Sequence, residues 1–308
     1  PNFVNSQNFS RFRKCFKAKF KDGFIIRADT FDNVYGKFPI GFTIWDLNGK
    51  SFPKSIELDI AEGGGTKKFW AGTRHSINGW IKEFDDSKNT AVGFMANPAP
   101  DLINKNQPYI TVTEGTRHFN YFAFNVKNLI EGSIYFAVRL CIEHTYLNDR
   151  DQFLYPNDGW KTDIDFQNDC LLYTLFHGQN RILSAHGVNH WIPFTETEVN
   201  AREKFDSRFM SGFLKGKKLS KEAEAVLGAG RELWRYYHAK TKSDKTVSVN
   251  ASYYDIREYF QGRSERGTMK TKSADEAYNV LIKALRDTVK VLAKKIEPKV
   301  YEYGFLNE

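Results

Sequence analysis

The chain of 308 residues is 41% hydrophobic and 27% charged, a composition that is typical of globular proteins and excludes a largely disordered chain. A chain of this length buries one large core or two ordinary ones, so two or three subdomains are expected. The formal net charge of +8 is compatible with a phosphate-bearing partner such as nucleic acid.

The cysteines and the apolar runs indicate the compartment. Cys15, Cys141 and Cys170 are odd in number and far apart, which argues against a disulfide framework and against a thiolate zinc site. No apolar run approaches the roughly 18 residues of a membrane span, and the start does not read as a signal peptide. We therefore predict a cytoplasmic protein with no membrane contact. Because the segment from Pro1 already reads like the middle of a fold, we also expect a piece of a longer protein.

The first 50 residues predict one helix and two strands. Phenylalanines recur at helical spacing over 8–21, with basic residues between them, which predicts an amphipathic helix with a basic outer face. The runs 23–26 and 39–47 predict strands. The segment 28–38 between them is too long for a tight hairpin turn, so it is a candidate functional loop.

The region from 51 to 160 is irregular, and its apolar runs favour strands. The segments 55–61, 109–115 and 133–140 alternate or run apolar over strand lengths, with a flexible surface turn predicted at Gly63–Gly65. The run 166–177 predicts a helix, followed by a polar turn.

The last third is predicted to be helical, beginning at a capping box. Thr195 followed by Glu198 predicts a helix that starts at Glu196. One face of that helix would carry Phe205, Phe209 and Phe213.

Three further helices are predicted after it. Ser220 would cap a helix that runs to about His238, and a short helix is expected around 253–260. Ser273 would cap the last and most regular helix, which Pro298 would end.

Common enzyme motifs are absent from the sequence. It contains no HExxH zinc motif, no G-x-S-x-G elbow, no P-loop and no G-x-G-x-x-G turn. His186 and His190 are four positions apart, but in a turn-like stretch, so no metal site is predicted. No residue of the chain is predicted to be catalytic.

Several segments nevertheless resemble one enzyme family. The segment 2–47, with FDNVYGKFPIGFTIWD at 31–46, resembles the region downstream of the catalytic tetrapeptide in adenine-N6 DNA methyltransferases of bacterial restriction–modification systems. The resemblance continues in DCLLYTLFHGQNRI (169–182), NHWIPFTETEVNA (189–201) and KVYEYGFL (299–306).

The resemblance implies an α/β fold, in which the C-terminal strands of a methyltransferase-like sheet precede a mixed β-rich region and a helical C-terminal region. Residues 1–50 would end the catalytic domain, 51–190 would recognise DNA, and 191–308 would form the helical region. Strands 23–26 and 39–47 would be the last two of a seven-stranded sheet, the final one antiparallel.

The same resemblance implies the partners and the cofactor. The motifs that bind S-adenosylmethionine and adenine would lie before Pro1, so this chain alone would bind no cofactor and transfer no methyl group. The complete enzyme would use S-adenosylmethionine. The expected partners are double-stranded DNA and the N-terminal, S-adenosylmethionine-binding part of the methyltransferase.

Two tracts imitate the family's Asn-Pro-Pro-Tyr tetrapeptide, whose polar groups accept hydrogen bonds from the adenine amino group while its ring stacks on the flipped base. The tract 97–100 lacks the aromatic ring, and the tract 106–109 lacks the first proline. Both follow the two predicted strands instead of preceding them, so we interpret them as coincidental matches and not as the catalytic tetrapeptide.

The loop 29–38 is the first candidate site. In the family, the corresponding loop carries an aromatic residue that packs on the extruded adenine. Phe31 occupies the matching position, and Phe38 is a second candidate. The alternative is that Phe31 simply covers the sheet edge.

Two polar segments are candidate DNA contacts. His177, Gln179, Asn180 and Arg181 offer amides and a guanidinium that read bases or clamp phosphate; the alternative is an ordinary polar loop. Lys215, Lys217 and Lys218 would contact phosphates; the alternative is solvated charge beside a helix.

Two other functions compete with this interpretation. A non-enzymatic DNA-binding specificity subunit of a restriction–modification system would fold and bind DNA on its own. A structural protein whose helical end mediates assembly is the third possibility.

Overall fold

The fold is mixed α/β, with two separate sheets and a helical C-terminal half. It is a computed structural model, and it describes residues 2–36, 38–72, 75–86, 88–96, 107–115, 121–143, 145–148 and 152–306. The α/β class predicted from the sequence is confirmed at this level.

A four-stranded sheet forms the amino-terminal part. Its strands are β1 (Lys19–Arg27), β2 (Pro39–Asp46), β3 (Ser55–Ile60) and β4 (Thr66–Trp70), in the order β2-β1-β3-β4. β1 pairs antiparallel with β2 and parallel with β3, and β4 returns antiparallel to β3. The strands predicted at 23–26, 39–47 and 55–61 are confirmed.

One face of this sheet is buried against the short helix α1 (Asn2–Asn5). Ile25, Leu58 and Phe69 alternate with outward-facing residues and pack with Val4 in a small core of their own. The opposite face is largely exposed, so this sheet has an inner and an outer side.

The helix predicted over 8–21 is much shorter than expected. The helix α2 (Ser10–Cys15) ends before Phe16, and Phe20 already belongs to β1. Both rings pack edge-on against Trp45, with centroids 5.3 and 5.5 Å away. This aromatic packing on the sheet overrides the helical spacing.

A three-stranded sheet and two helices form the middle region. β5 (Gly93–Ala96) lies between β6 (Tyr109–Thr111) and β7 (Tyr121–Phe124), and all neighbours are antiparallel. The helices are α3 (Ile77–Ile81) and α4 (Leu129–Leu140).

The strand predicted at 133–140 is wrong, because these residues lie in α4. Every residue from Gly132 to Arg139 is buried. A short apolar run that is buried on all sides has no polar face, and its pattern does not distinguish a strand from a helix.

Six helices complete the fold and enclose the larger hydrophobic core. They are α5 (Ile164–Phe176), α6 (Glu196–Val199), α7 (Phe209–Leu214), α8 (Lys221–Lys240), α9 (Tyr253–Gln261) and α10 (Glu276–Glu302). The predicted helices at 166–177 and 253–260, and the Ser220 cap of α8, are confirmed.

The capping box of α6 is present, but the helix is a single turn. Thr195 and Glu198 cap each other's backbone as predicted, and Asn200 then adopts a left-handed conformation with φ 54° that ends the helix. Phe205 therefore follows the helix, while Phe209 and Phe213 belong to α7.

Both predicted ends of the last helix differ from the structure. Asp275 caps α10 by accepting from the backbone of Tyr278, while the Ser273 hydroxyl donates to the carbonyl of Phe260. Pro298 lies inside the helix, which continues to Glu302. Val300, beyond the proline, is fully buried, and this packing holds the last turn in place.

Candidate nucleic-acid interface

Phe31 lies on the exposed loop between β1 and β2. A 3-10 turn over Ala28–Thr30 ends at Phe31, whose backbone N–H donates to the carbonyl of Ala28 at 3.1 Å. The ring of Phe31 is 39% exposed and lies 6.1 Å from that of Phe42. The ring is therefore held against the sheet while part of its surface faces solvent.

Two more rings extend this surface. Phe24 and Phe42 are direct neighbours across the β1–β2 pair, and their rings stack with centroids 4.9 Å apart. They are 40% and 44% exposed. We call Phe24, Phe31 and Phe42 the aromatic face; flat exposed rings of this kind stack on bases.

The sequence did not single out Phe24 and Phe42. Both belong to runs that were predicted as strands, and the alternation within the second run was a usable signal. Their pairing depends on the register between two strands, which the local pattern does not define.

Phe38 has a different position. It is half-buried, and its carbonyl accepts from the backbone N–H of Ala28 at 2.9 Å, which closes the loop just before β2. The structure therefore brings Phe31, and not Phe38, into the aromatic face.

Carboxylates surround the loop. Asp29 pairs with Arg27, the Thr30 hydroxyl donates to Glu62 at 3.1 Å, and Asp32 is exposed. Arg27 offsets the charge of Asp29, whereas Glu62 and Asp32 repel phosphate but not a neutral base. This site suits an extruded base better than a DNA backbone.

The four candidate residues of the turn after α5 form an inner group, packed against the protein, and an outer group. Asn180 is buried, and its amide donates to the carbonyls of Thr174 and Leu175, which stabilises the end of α5. His177 lies against the rings of Phe136 and Tyr173, and burial lowers the pKa of its imidazole to about 4. DNA contact by these two residues stays a prediction.

Gln179 and Arg181 form the outer part of the turn. The Arg181 guanidinium donates to the amide oxygen of Gln179 and lies 4.6 Å from the ring centroid of Tyr109. Gln179 in turn donates to the Gln107 side chain at 2.8 Å. Backbone hydrogen bonds with Ile110 on β6 hold the turn, so this arginine is both exposed and well positioned.

Arg257 adds a second guanidinium that the sequence did not single out. It lies on α9 and donates to the carbonyl of Gly178 at 3.3 Å. No local pattern connects it to the turn, because the contact joins distant parts of the chain.

The three candidate lysines lie on a turn after α7. Lys215 and Lys218 are exposed, and the ammonium of Lys217 lies 4.6 Å from the ring centroid of Phe213. Among the residues that the structure describes, none of the three forms an ion pair. Their charge is therefore available to phosphate.

One helix connects the lysine turn with the arginine turn. The side chain of Asn168, near the start of α5, donates to the carbonyl of Lys218 at 2.9 Å, while His177 follows the end of α5. At 1.5 Å per residue, the two ends of this stretch are about 13 Å apart. That spacing corresponds to about four base pairs of a DNA duplex.

The other sequence candidates have no visible role in chemistry. The tract 97–100 and Asn106 lie outside the described residues. Gly63–Gly65 form the predicted surface turn, between β3 and β4, with φ of 93°, 76° and 86°.

Metal-binding clusters and membrane-spanning helices are absent from the described part of the chain. It contains no cluster of three or more His, Cys, Asp or Glu residues arranged to hold a metal ion. None of its helices is long and apolar enough to span a membrane.

Comparisons with protein-family models, with curated proteins and with solved structures find no match to this chain.

Proposed function

We propose that this chain is the DNA-binding and target-recognition part of an adenine-specific (N6) DNA methyltransferase that uses S-adenosylmethionine. The observation that carries the proposal is the position of Phe31, an exposed ring held beside Phe42 on a loop whose acidic surroundings favour a neutral base over a phosphate. An extruded adenine has lost its stacking partners, and a ring at this position restores them.

The sheet also offers a docking position for the S-adenosylmethionine-binding part. Among the described strands, β2 pairs with β1 alone, so its other edge is open to a further strand. The antiparallel pairing of β1 and β2 agrees with the family's last two strands. β3 and β4, on the far side of β1, are additions that the resemblance does not imply.

The basic groups supply the DNA contacts of this proposal. Lys215, Lys217 and Lys218 contact phosphates, which fixes the position of the duplex without reading its sequence. Arg181 and Gln179, at the other end of α5, read bases, and Arg257 supports that turn. DNA as the target places the protein in the cytoplasm.

The test is methyl transfer by the complete enzyme. The chain is combined with the polypeptide encoded immediately upstream, and N6-methyladenine is measured by mass spectrometry in digests of plasmid DNA incubated with S-adenosylmethionine. Adenine methylation that needs both parts is the expected result. Methylated cytosine, or no methylation with an upstream frame that lacks an Asn-Pro-Pro-Tyr tract, would contradict the proposal.

A specificity subunit without enzymatic activity is the second candidate. It is favoured by the two hydrophobic cores, which are both built entirely from residues of this chain. In that case the chain alone would bind DNA site-specifically, and an unrelated upstream reading frame would be found.

A further inference from the structure

A cleft of about 510 Å³ lies between the amino-terminal sheet and the helical body. β3 and β4 form one wall, and the segment from Leu154 to Asn157, with Gly304, forms the other. This volume is within the range of small-molecule sites, about 300–1,000 Å³.

Two backbone hydrogen bonds fix the walls of the cleft, one from the second wall to His75, which follows β4, and one within the second wall. The N–H of Tyr155 donates to the carbonyl of His75 at 2.7 Å, and the N–H of Asn157 donates to that of Tyr303 at 2.8 Å. The cleft is thus preformed, which lowers the cost of ordering it around a ligand.

Trp70 forms the flat surface of the cleft. Its ring is half-buried, and the imidazole of His75 lies 4.8 Å away at an angle of 40°. The ammonium of Lys68 lies 4.5 Å from the centroid of the indole ring, and the described residues offer it no ion pair. An aromatic surface and a cation therefore meet in one place.

Glu57 supplies an acceptor beside them. It is the direct cross-strand neighbour of Lys68, yet its carboxylate accepts from the Thr66 hydroxyl. A carboxylate has further lone pairs, and it recognises the exocyclic amino group of a base.

We infer that this cleft binds one unpaired nucleotide whose base carries an exocyclic amino group. The ammonium of Lys68, which lies over the indole ring, turns to the phosphate, the base takes its place against Trp70, and the amino group of the base donates to Glu57. The choice of a nucleotide rests on the proposed function. The stacking surface of the cleft is distinct from the aromatic face, because two strand spacings, about 10 Å, separate β4, which carries Trp70, from β1, which carries Phe24.

The experiment is calorimetric titration of the full chain with four probes: dAMP, deoxyadenosine, dTMP and 2-deoxyribose 5-phosphate. We expect dAMP to bind most tightly, with deoxyadenosine, dTMP and the sugar phosphate each about tenfold weaker or worse. Trp70→Leu should weaken dAMP about tenfold, and Trp70→Phe, which keeps a ring, only about threefold.

The polar variants separate the two ends of the ligand. Lys68→Gln should weaken dAMP but not deoxyadenosine, and Glu57→Gln should reduce the preference for dAMP over dTMP. Tyr259→Ala, which removes an exposed ring on α9, is the matched control and should leave dAMP binding unchanged. Thermal melting of each variant checks its fold.

Three results would overturn the inference: no dAMP binding at millimolar concentration, equal binding of the sugar phosphate, or unchanged dAMP affinity in both Trp70→Leu and Lys68→Gln. Duplex binding is measured in parallel. If the chain binds duplex DNA but not dAMP, nucleotide binding in the cleft is wrong and the proposed function stands. If it binds dAMP at Trp70 but no duplex, the proposed function is wrong.

Discussion

Phe42 lies between two other rings on the outer side of the sheet: it stacks on Phe24 at 4.9 Å and supports Phe31 at 6.1 Å. The loop ring is thus attached to a rigid strand pair. Side chains held by such a scaffold are positioned more precisely than side chains on a free loop.

The first prediction concerns Phe31 in the complete methyltransferase. Phe31→Ala should lower turnover while specific DNA binding stays nearly intact, because the ring meets the base only after extrusion. Loss of about 1–3 kcal/mol of stacking shifts the flipped population roughly five- to 150-fold. The fluorescence of 2-aminopurine at the target position should report this shift.

Phe38→Ala is the control for Phe31. Its ring is half-buried just before β2, so this change should lower the melting temperature before it alters flipping. Unchanged turnover in Phe31→Ala, with loss of turnover in Phe38→Ala, would mean that the base contacts the other ring.

The second prediction concerns the lysine turn. Replacing Lys215, Lys217 and Lys218 with Ala should weaken duplex binding equally for all sequences. The slope of log affinity against log salt concentration should also become less steep, by about 0.9 for each phosphate contact that is lost. Fluorescence anisotropy at several salt concentrations measures both effects. The matched control removes three exposed lysines of α10, Lys283, Lys290 and Lys294. An equal effect of the control would show that net charge alone matters.

The third prediction is acid sensitivity. Burial of His238 lowers the pKa of its imidazole to about 4, so from pH 6.5 to 4 the unfolded chain binds a proton that the folded chain does not. The free energy of unfolding should therefore be intact above pH 6.5 and should fall as the pH drops to 4, by about 3 kcal/mol at most from this group.

Urea titrations at several pH values test this sign. His238→Phe should have a flatter pH profile than the wild type, whatever its absolute stability. His186→Gln, on an exposed turn, controls for the loss of one imidazole. Parallel profiles of wild type and His238→Phe would show that another group causes the acid sensitivity.

The fourth prediction concerns the ion pair at the centre of the helical body. Asp169 on α5 is almost fully buried, accepts from the Ser220 hydroxyl, and lies 2.9 Å from the ammonium of Lys295 on α10. Asp169→Ala should lower the free energy of unfolding by about 1–3 kcal/mol, because a partly buried ammonium loses its main partner. The exposed pair of Lys283 and Asp287 is the control. Lys283→Ala should change the free energy of unfolding by less than about 0.5 kcal/mol. Equal effects in urea titrations would contradict the prediction.

The helices that could be predicted from sequence carry their signals locally. The Ser220 cap, the capping box at Thr195 and the apolar spacing of α10 all lie within one or two turns of the elements they define. The strand predicted at 133–140 failed because its environment, and not its pattern, decides its conformation. The helix predicted over 8–21 failed at Phe16 and Phe20 for a related reason, because both rings pack against Trp45 on another element.

The candidate sites, too, could be predicted from the sequence only in part. Phe31 was identified from a family resemblance; the structure shows that it is exposed, and its contact with an extruded adenine stays a prediction. The contact between Arg181 and Tyr109, and the cleft that joins Trp70 to Tyr155, depend on tertiary contacts between distant residues. Composition and periodicity do not encode such contacts.

The edge strand β2 has a practical consequence for work with the purified chain. Its outer edge has no partner among the described strands, and Phe42 and Ile44 expose apolar surface beside that edge. Such an edge is a template for pairing between identical molecules. The chain produced alone should therefore self-associate as its concentration rises, and Ile44→Lys, which adds a charge to the strand, should shift sedimentation profiles toward the monomer.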